Sequence, residues 1–152
     1  MSTQALKNSK SIQEIATYTD SIRLTHADLT ASATTQTISL AIKAGQQVRG
    51  VAYKLHTAFS GGGGSNLIID VGDGTNDDGY IDAEKIFTTG NAYGPDAVDA
   101  EAGMIGKVYA VDDNIDFNFT ATGANVSTFT AGDIEIFFQI LDIDSVAGRQ
   151  VS

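Results

Sequence analysis

The sequence predicts an all-β fold, a sandwich or a barrel built from seven or eight short strands. Segments in which apolar and polar residues alternate recur along most of the 152 residues, and this period of two is typical of strands with one buried face. Sixteen glycines, together with Asp-Gly and Asn-Asp pairs, mark turns between these segments. No part of the body has convincing helical spacing, so we expect one β domain.

The chain begins with a polar stretch, residues 1–17, which is predicted to form an arm in front of the sandwich domain, residues 18–152. Leu6, Ile12 and Ile15 are the large apolar residues of this arm. Ile12 and Ile15 are three positions apart, which fits one helical turn, but an arm that becomes ordered only on a partner fits equally well. The arm lacks the apolar run of a signal peptide.

Eight segments of the body are interpreted as strands. The fifth is a strand or a ragged edge, and the sixth and seventh are joined by a turn. Their predicted bounds are 18–26, 37–43, 48–59, 66–71, 80–87, 107–111, 115–120 and 133–143. The glycines at 61–64 do not continue into a phosphate-binding motif, because no Gly-Lys-Ser/Thr follows them, so a flexible hairpin tip is predicted there.

The last predicted strand carries apolar residues on both faces. Ile134, Ile136, Phe138 and Ile140 alternate along one face, while Phe137 and Leu141 lie on the other face with Glu135 and Gln139. A sheet with one solvated face does not need Phe137 and Leu141 there. Either a loop of the same chain or another subunit is expected to cover them.

Composition excludes several classes of function. The formal charge is −10, from nineteen acidic and nine basic residues, which argues against nucleic-acid binding by release of counterions. No apolar run approaches the length that spans a membrane. The chain has no cysteine, so disulfides, thiolate metal sites and cysteine catalysis are excluded.

One acidic segment, IIDVGDGTNDDGYIDAE at residues 68–84, resembles a calcium-binding loop at first sight. The EF-hand pattern fails, because placing Gly79 at its sixth position puts Gly74 at the first and Lys85 at the twelfth, where a bidentate glutamate is needed. The other register puts Ile69 first. We therefore predict a turn between two strands. An irregular calcium site built from Asp73, Asp77, Asp78 and Asp82 remains the alternative.

The residues that carry out catalysis in common enzymes show no recognisable pattern. His26 and His56 both lie in predicted strands without a paired metal-ligand spacing, and no nucleophile elbow is present. Surface histidines, solvated or hydrogen-bonded, are predicted. Paired carboxylates are available in so acidic a chain, but there is no tryptophan to stack a sugar. We predict that the protein is not an enzyme and needs no cofactor or metal.

Two segments in the second half carry a resemblance to a known family. They are LIIDVGDGTNDDGYI, residues 67–81, and KVYAVDDNIDFNFTATGANVSTFTAGDIEIFFQI, residues 107–140. The ordered pieces GDGT, DG-aromatic-Ile, K-x-Y-x-x-D-D, T-A-T-G-A-N and T-A-G-D resemble small structural proteins of tailed bacteriophages, the head decoration or capsid cement proteins. The signature turn comprises Gly72, Asp73, Gly74, Thr75, Asp78 and Gly79.

The resemblance implies a jelly-roll-like sandwich that binds the outer surface of the capsid as a homotrimer. The implied partners are the chain itself and the major capsid protein, with no nucleic acid and no membrane. The protein would be made in the host cytoplasm and located on the virion, where it would hold the shell against DNA pressure. Candidate subunit or capsid contacts are Leu6, Ile12, Ile15, Phe137 and Leu141.

The same fold also suits a different role, a head-fibre or tail-associated module that binds a receptor or a sugar. Such a module needs aromatic side chains on exposed loops. Tyr80 and Tyr93 are the candidates.

Overall fold

A computed structural model describes residues 18–95 and 103–144. Within these ranges the chain forms eight strands and two short 3₁₀ turns, His26–Asp28 and Val126–Thr128. The strands are β1 (Asp20–Thr25), β2 (Thr35–Ile42), β3 (Gln46–Ser60), β4 (Asn66–Gly72), β5 (Ile81–Lys85), β6 (Tyr93–Gly94), β7 (Asp113–Thr122) and β8 (Ala131–Asp142).

The strands form two four-stranded antiparallel sheets with the orders β1-β8-β3-β6 and β2-β7-β4-β5. Strand β1 pairs with β8, β2 with β7, β3 with β6 and β4 with β5. This nesting is what results when one long hairpin is wrapped around a core, and it defines the jelly roll. The predicted all-β, jelly-roll-like sandwich is confirmed.

The core lies between the two sheets and follows the alternation of the sequence. Ile134, Ile136 and Phe138 of β8 are fully buried. The ring of Phe138 meets Phe117 of β7 edge to face, with centroids 5.9 Å apart. Each buried side chain of this size contributes about 1.5–3 kcal/mol. The inward face of β8 is therefore as the sequence predicts.

The glycine-rich link at residues 61–64 is not a hairpin tip, because β3 and β4 belong to different sheets. Gly61, Gly62 and Gly63 all have positive φ. The backbone of Thr128 lies against Gly62 so closely that a Cβ would overlap it. The link turns the chain from one sheet to the other, and this turn requires glycine for its backbone conformation.

The prediction of a strand at residues 107–111 is wrong. Only Val108 makes an isolated bridge, to Gln47. The segment instead runs along the edge of β3, where Gly106 N–H donates to Val48 O at 2.8 Å and Tyr109 N–H donates to Gln46 O at 2.9 Å. It covers an edge that would otherwise expose backbone groups.

Two other predictions concern the margins of the fold. The region 80–87, predicted as a strand or a ragged edge, contains the strand β5. This strand is irregular, because Ala83 has a positive φ of 48° and the register with β4 shifts. The arm, with its candidate contacts Leu6, Ile12 and Ile15, lies outside the described residues. Among the residues that are described, no helix has the length and apolar character needed to cross a membrane.

Candidate functional site

The signature turn connects β4 to β5 and is organised by Asp73. Asp73 Oδ1 accepts hydrogen bonds from the backbone N–H groups of Thr75 at 2.8 Å and Asn76 at 3.0 Å. Asp73 N–H donates to the Asn76 carbonyl at 2.8 Å. These are the bonds by which an aspartate stabilises a turn. The prediction of a turn between two neighbouring strands is confirmed.

The second carboxylate oxygen of Asp73 reaches the segment that precedes β7. Lys107 Nζ lies 2.5 Å from Asp73 Oδ2, and the Tyr109 hydroxyl donates to the same oxygen at 3.1 Å. The hydroxyls of Tyr109 and Tyr80 are 2.8 Å apart. Lys107 Nζ also lies 4.7 Å from the centroid of the Tyr109 ring. The two segments that carry the resemblance are therefore in direct contact.

This network sets the protonation of its members. Burial alone would raise the pKa of Asp73, but the Lys107 ammonium, the amides of Asn76 and Thr75 and the Tyr109 hydroxyl outweigh it and lower the pKa below its usual value. Burial raises the pKa of Tyr80 to about 12. The pKa of Tyr109 is raised too, first by burial and then by Tyr80. The network thus holds one carboxylate against one ammonium.

The same geometry bears on the calcium alternative. The side chain of Asp73 is fully buried, and both of its oxygens accept hydrogen bonds from the chain itself. Lys107 occupies the place where a cation would have to bind Asp73. Within residues 18–95 and 103–144, no group of three or more His, Asp or Glu side chains is arranged to hold a metal ion.

The signature glycines have different roles. A Cβ on Gly72 would overlap the Asn76 carbonyl oxygen, and a Cβ on Gly79 would overlap the Met104 side chain. A Cβ on Gly74 would meet nothing within 4 Å. Close approach of the backbone therefore requires glycine at position 72. At position 79 a larger residue would displace the Met104 side chain, and position 74 has room for a Cβ.

A second feature is the outer surface of the β1-β8-β3-β6 sheet, which we call the aromatic face. It consists of the outward side chains of these strands together with Tyr18 and Val108. Tyr18 is 40% exposed, and its ring meets that of Phe137 edge to face, with centroids 6.3 Å apart. Phe137 lies between Ser21 and Ala52 in the register of the sheet. Tyr18 thus covers part of Phe137.

Leu141 lies on the same face, nearer one end of the sheet. Its neighbour across the strands is Gln47, which bridges Val108 on its other side. Val108 is 44% exposed and Leu141 is half-buried. The face thus carries two separate apolar patches, one around Phe137 and one around Leu141.

Most charged side chains of the aromatic face have a partner on the same face. Arg23 donates two hydrogen bonds to Asp133, at 2.9 and 2.7 Å. His56 Nε2 lies 3.0 Å from Glu135 Oε1. Lys54 Nζ is 5.8 Å from the centre of the Tyr93 ring, a cation–π contact. With Arg49, an exposed residue at a bulge of β3, the face carries no excess of acidic side chains.

The outer surface of the β2-β7-β4-β5 sheet, which we call the hydroxyl face, differs in composition. Thr37 donates to Asn118 at 2.7 Å, and Ser39 donates to Asp116 at 2.6 Å. No aromatic side chain points outward from these four strands. This is the solvated surface of an ordinary antiparallel sheet.

A shallow groove with a volume of about 350 Å³ lies at one end of the aromatic face. Three threonines line it, and no Phe, Tyr or Trp does; its residues are Thr25, His26, Thr57, Thr130, Ala131, Gly132 and Asp133. Both histidines were predicted at the surface. His26 lies at this groove, and His56 lies beside Glu135. The groove offers hydroxyl groups but no Phe, Tyr or Trp ring on which a sugar could stack.

The structure brings some of the predicted residues together and separates others. The signature-turn residues form one unit, and Phe137 and Leu141 share one face at different places. The prediction of Tyr80 as an exposed aromatic residue is wrong, because its side chain is 1% exposed and hydrogen-bonded to Tyr109. Tyr93 is 67% exposed. Sequence reasoning missed Tyr18 on the aromatic face, and it missed that Lys107 binds Asp73.

The chain was also compared with known proteins. No protein-family model, no curated protein and no solved structure matches it.

Proposed function

We propose that the chain is a virion structural protein of a tailed bacteriophage, a head decoration or cement protein. It binds the outer surface of the capsid as a homotrimer, contacts the major capsid protein and stabilises the shell against the pressure of packaged DNA. It has no catalytic activity and requires no cofactor.

The observation that carries this proposal is the use of the signature residues within the fold. Asp73, Tyr80, Lys107 and Tyr109 bind one another across two segments. Polar groups that bond internally serve to position the backbone, whereas catalytic groups face a cleft. The resemblance to cement proteins rests on these same two segments. Their shared motifs are explained by a structural role, because the motif residues bind each other and hold the two segments together.

The proposed mechanism is mechanical. Antiparallel strands paired along their length make a stiff body, and three stiff bodies joined together can hold several capsid subunits at once. Each contact with the shell then needs little binding energy, because the first contact raises the effective concentration of the others. The trimer would lower the free energy of the intact shell relative to a shell that opens.

The charge of the chain suits this location. A net charge of −10 keeps many copies soluble at high local density. It also disfavours binding of the DNA inside the head.

The test uses phage heads that lack the protein. Heads are heated with and without the purified full chain, and released DNA is followed by dye fluorescence. Bare heads should release DNA at lower temperature, and the added chain should restore the stability and sediment with the heads. Equal release temperatures with and without the chain would contradict the proposal.

The receptor- or sugar-binding alternative retains one observation in its favour, the exposed ring of Tyr93 beside Lys54. An aromatic ring next to a cation is a usual element of ligand recognition. Binding on a glycan array that is lost in Tyr93→Ala would favour this alternative over the cement role.

A further inference from the structure

We propose that the aromatic face is the surface by which one copy of the chain binds the next copy in the trimer, while the hydroxyl face stays free of copy-to-copy contact. This inference rests on the proposed function for the trimer, but it assigns the contact to one sheet. It follows from charge and from the arrangement of the apolar patches.

The charge of the body limits where two copies can meet. The described residues include fifteen acidic and six basic side chains. Two such bodies repel each other wherever their acidic residues face one another. The outward positions of the aromatic face carry three bases, Arg23, Lys54 and Arg49 at a bulge of β3, against two acids, Asp133 and Glu135. A second acidic copy can therefore approach this face with little repulsion.

The paired charges also discriminate between kinds of partner. A basic partner would be attracted to the hydroxyl face, where Asp70 and Asp116 point outward, or to the acidic turn at Asp77 and Asp78. The aromatic face has no excess of acidic side chains to attract it. An acidic partner fits this apolar face best, and a second copy is such a partner.

The aromatic face offers each copy a limited contact area. Strand β8 has 12 residues, so at a rise of about 3.3 Å per residue and an interstrand spacing of about 4.8 Å the face measures at most roughly 40 by 15 Å. This is on the order of 600 Å² for each copy, and the two neighbours in a ring share it.

The two apolar patches match what a ring requires. In a closed trimer each contact is heterologous, so one copy presents two different patches to its two neighbours. The patch of Phe137 and Tyr18 and the patch of Leu141 and Val108 lie on one face at different positions along the strands. Packing the first patch of one copy against the second patch of the next would bury both.

The first experiment compares two charge insertions in the full chain. Phe137→Glu alters the aromatic face, and Ile68→Glu, the matched control, alters a half-buried apolar residue on the hydroxyl face. Mass is measured by light scattering after gel filtration. We expect three times 15.9 kDa for the parent chain and for Ile68→Glu, and 15.9 kDa for Phe137→Glu. A trimeric Phe137→Glu or a monomeric parent chain would overturn the inference.

A second measurement does not depend on how well Phe137→Glu folds. The chain has no cysteine, so Ala52→Cys and Thr120→Cys each give a single label site. Both positions are half-buried on central strands, one on each face. In the assembled protein, maleimide should modify Ala52→Cys about tenfold more slowly than Thr120→Cys, because a closed interface excludes the reagent. Equal rates in a protein of trimer mass would overturn the inference.

These outcomes separate the two proposals. A trimer that protects Ala52→Cys but fails to bind heads would contradict the cement function and leave the copy-to-copy contact in place. If the protein binds heads while maleimide labels Ala52→Cys as fast as Thr120→Cys, the cement function stands and the proposed copy-to-copy contact is overturned.

Discussion

Lys107 Nζ lies 2.5 Å from Asp73 Oδ2, and this ion pair joins the signature turn to a segment 34 residues further along the chain. Asp73 is fully buried and Lys107 is about one-third exposed. The pair fastens the turn after β4 to the segment that covers the edge of β3, and so connects the two sheets.

Removal of the ammonium group should destabilise the protein. Lys107→Met leaves a buried carboxylate without its countercharge, and we expect a loss of about 2–3 kcal/mol, less than for a fully buried pair because Lys107 is partly exposed. Lys85→Met, on an exposed residue of β5, is the control and should change stability by less than about 0.5 kcal/mol. Urea unfolding measures both, and equal effects would contradict the role of the pair.

The same pair makes stability depend on acid pH. Because the pKa of Asp73 is lower in the folded protein than its ordinary value of 3.8, its contribution is complete above pH 3.8 and is lost as pH falls through the lowered pKa. Asp73→Asn should therefore be less stable than the parent chain at pH 7, and the difference should shrink below about pH 4. A difference that is constant from pH 7 to pH 2.5 would exclude this linkage.

Asp70 should behave in the opposite way. Burial, followed by the charges of Asp82, Asp77 and Asp78, raises its pKa in spite of a hydrogen bond from Ala83 N–H. Its contribution to stability is thus present at low pH and is lost as pH rises through the raised pKa. Asp70→Asn, which keeps an acceptor for Ala83, should raise the melting temperature at pH 7 and leave it unchanged near pH 3. A lower melting temperature at pH 7 would show that the carboxylate is needed.

Two glycines of the turn make a matched pair. In Gly72→Ala the new Cβ would overlap the Asn76 carbonyl oxygen, whereas in Gly74→Ala it would point into open space. We expect the first change to cost at least about 2 kcal/mol and the second less than about 0.5 kcal/mol. Thermal unfolding of the two variants side by side gives the comparison, and similar melting temperatures would mean that the turn can rearrange.

The sequence predicted those parts of the fold that depend on neighbours in the chain. The alternation of apolar and polar residues correctly predicted that Ile134 and Phe138 point inward and Phe137 outward. Consecutive side chains of a strand point to opposite faces, so this orientation depends only on neighbours in the sequence. The acidic segment was predicted as a turn for the same local reason. The bond between Asp73 and Lys107, and the contact of Tyr18 with Phe137, depend on which strands are neighbours in space. A strand was wrongly predicted at residues 107–111. The segment has the alternation of a strand, but it runs along the edge of β3 as a covering segment.

The proposed function places the protein on the outside of a phage head. Cryo-electron microscopy of the virion that carries the chain tests this location. We expect density for jelly-roll bodies in groups of three on the outer surface of the capsid, with the aromatic faces directed toward neighbouring copies. Density for this fold on a tail or a head fibre, and none on the capsid surface, would contradict it.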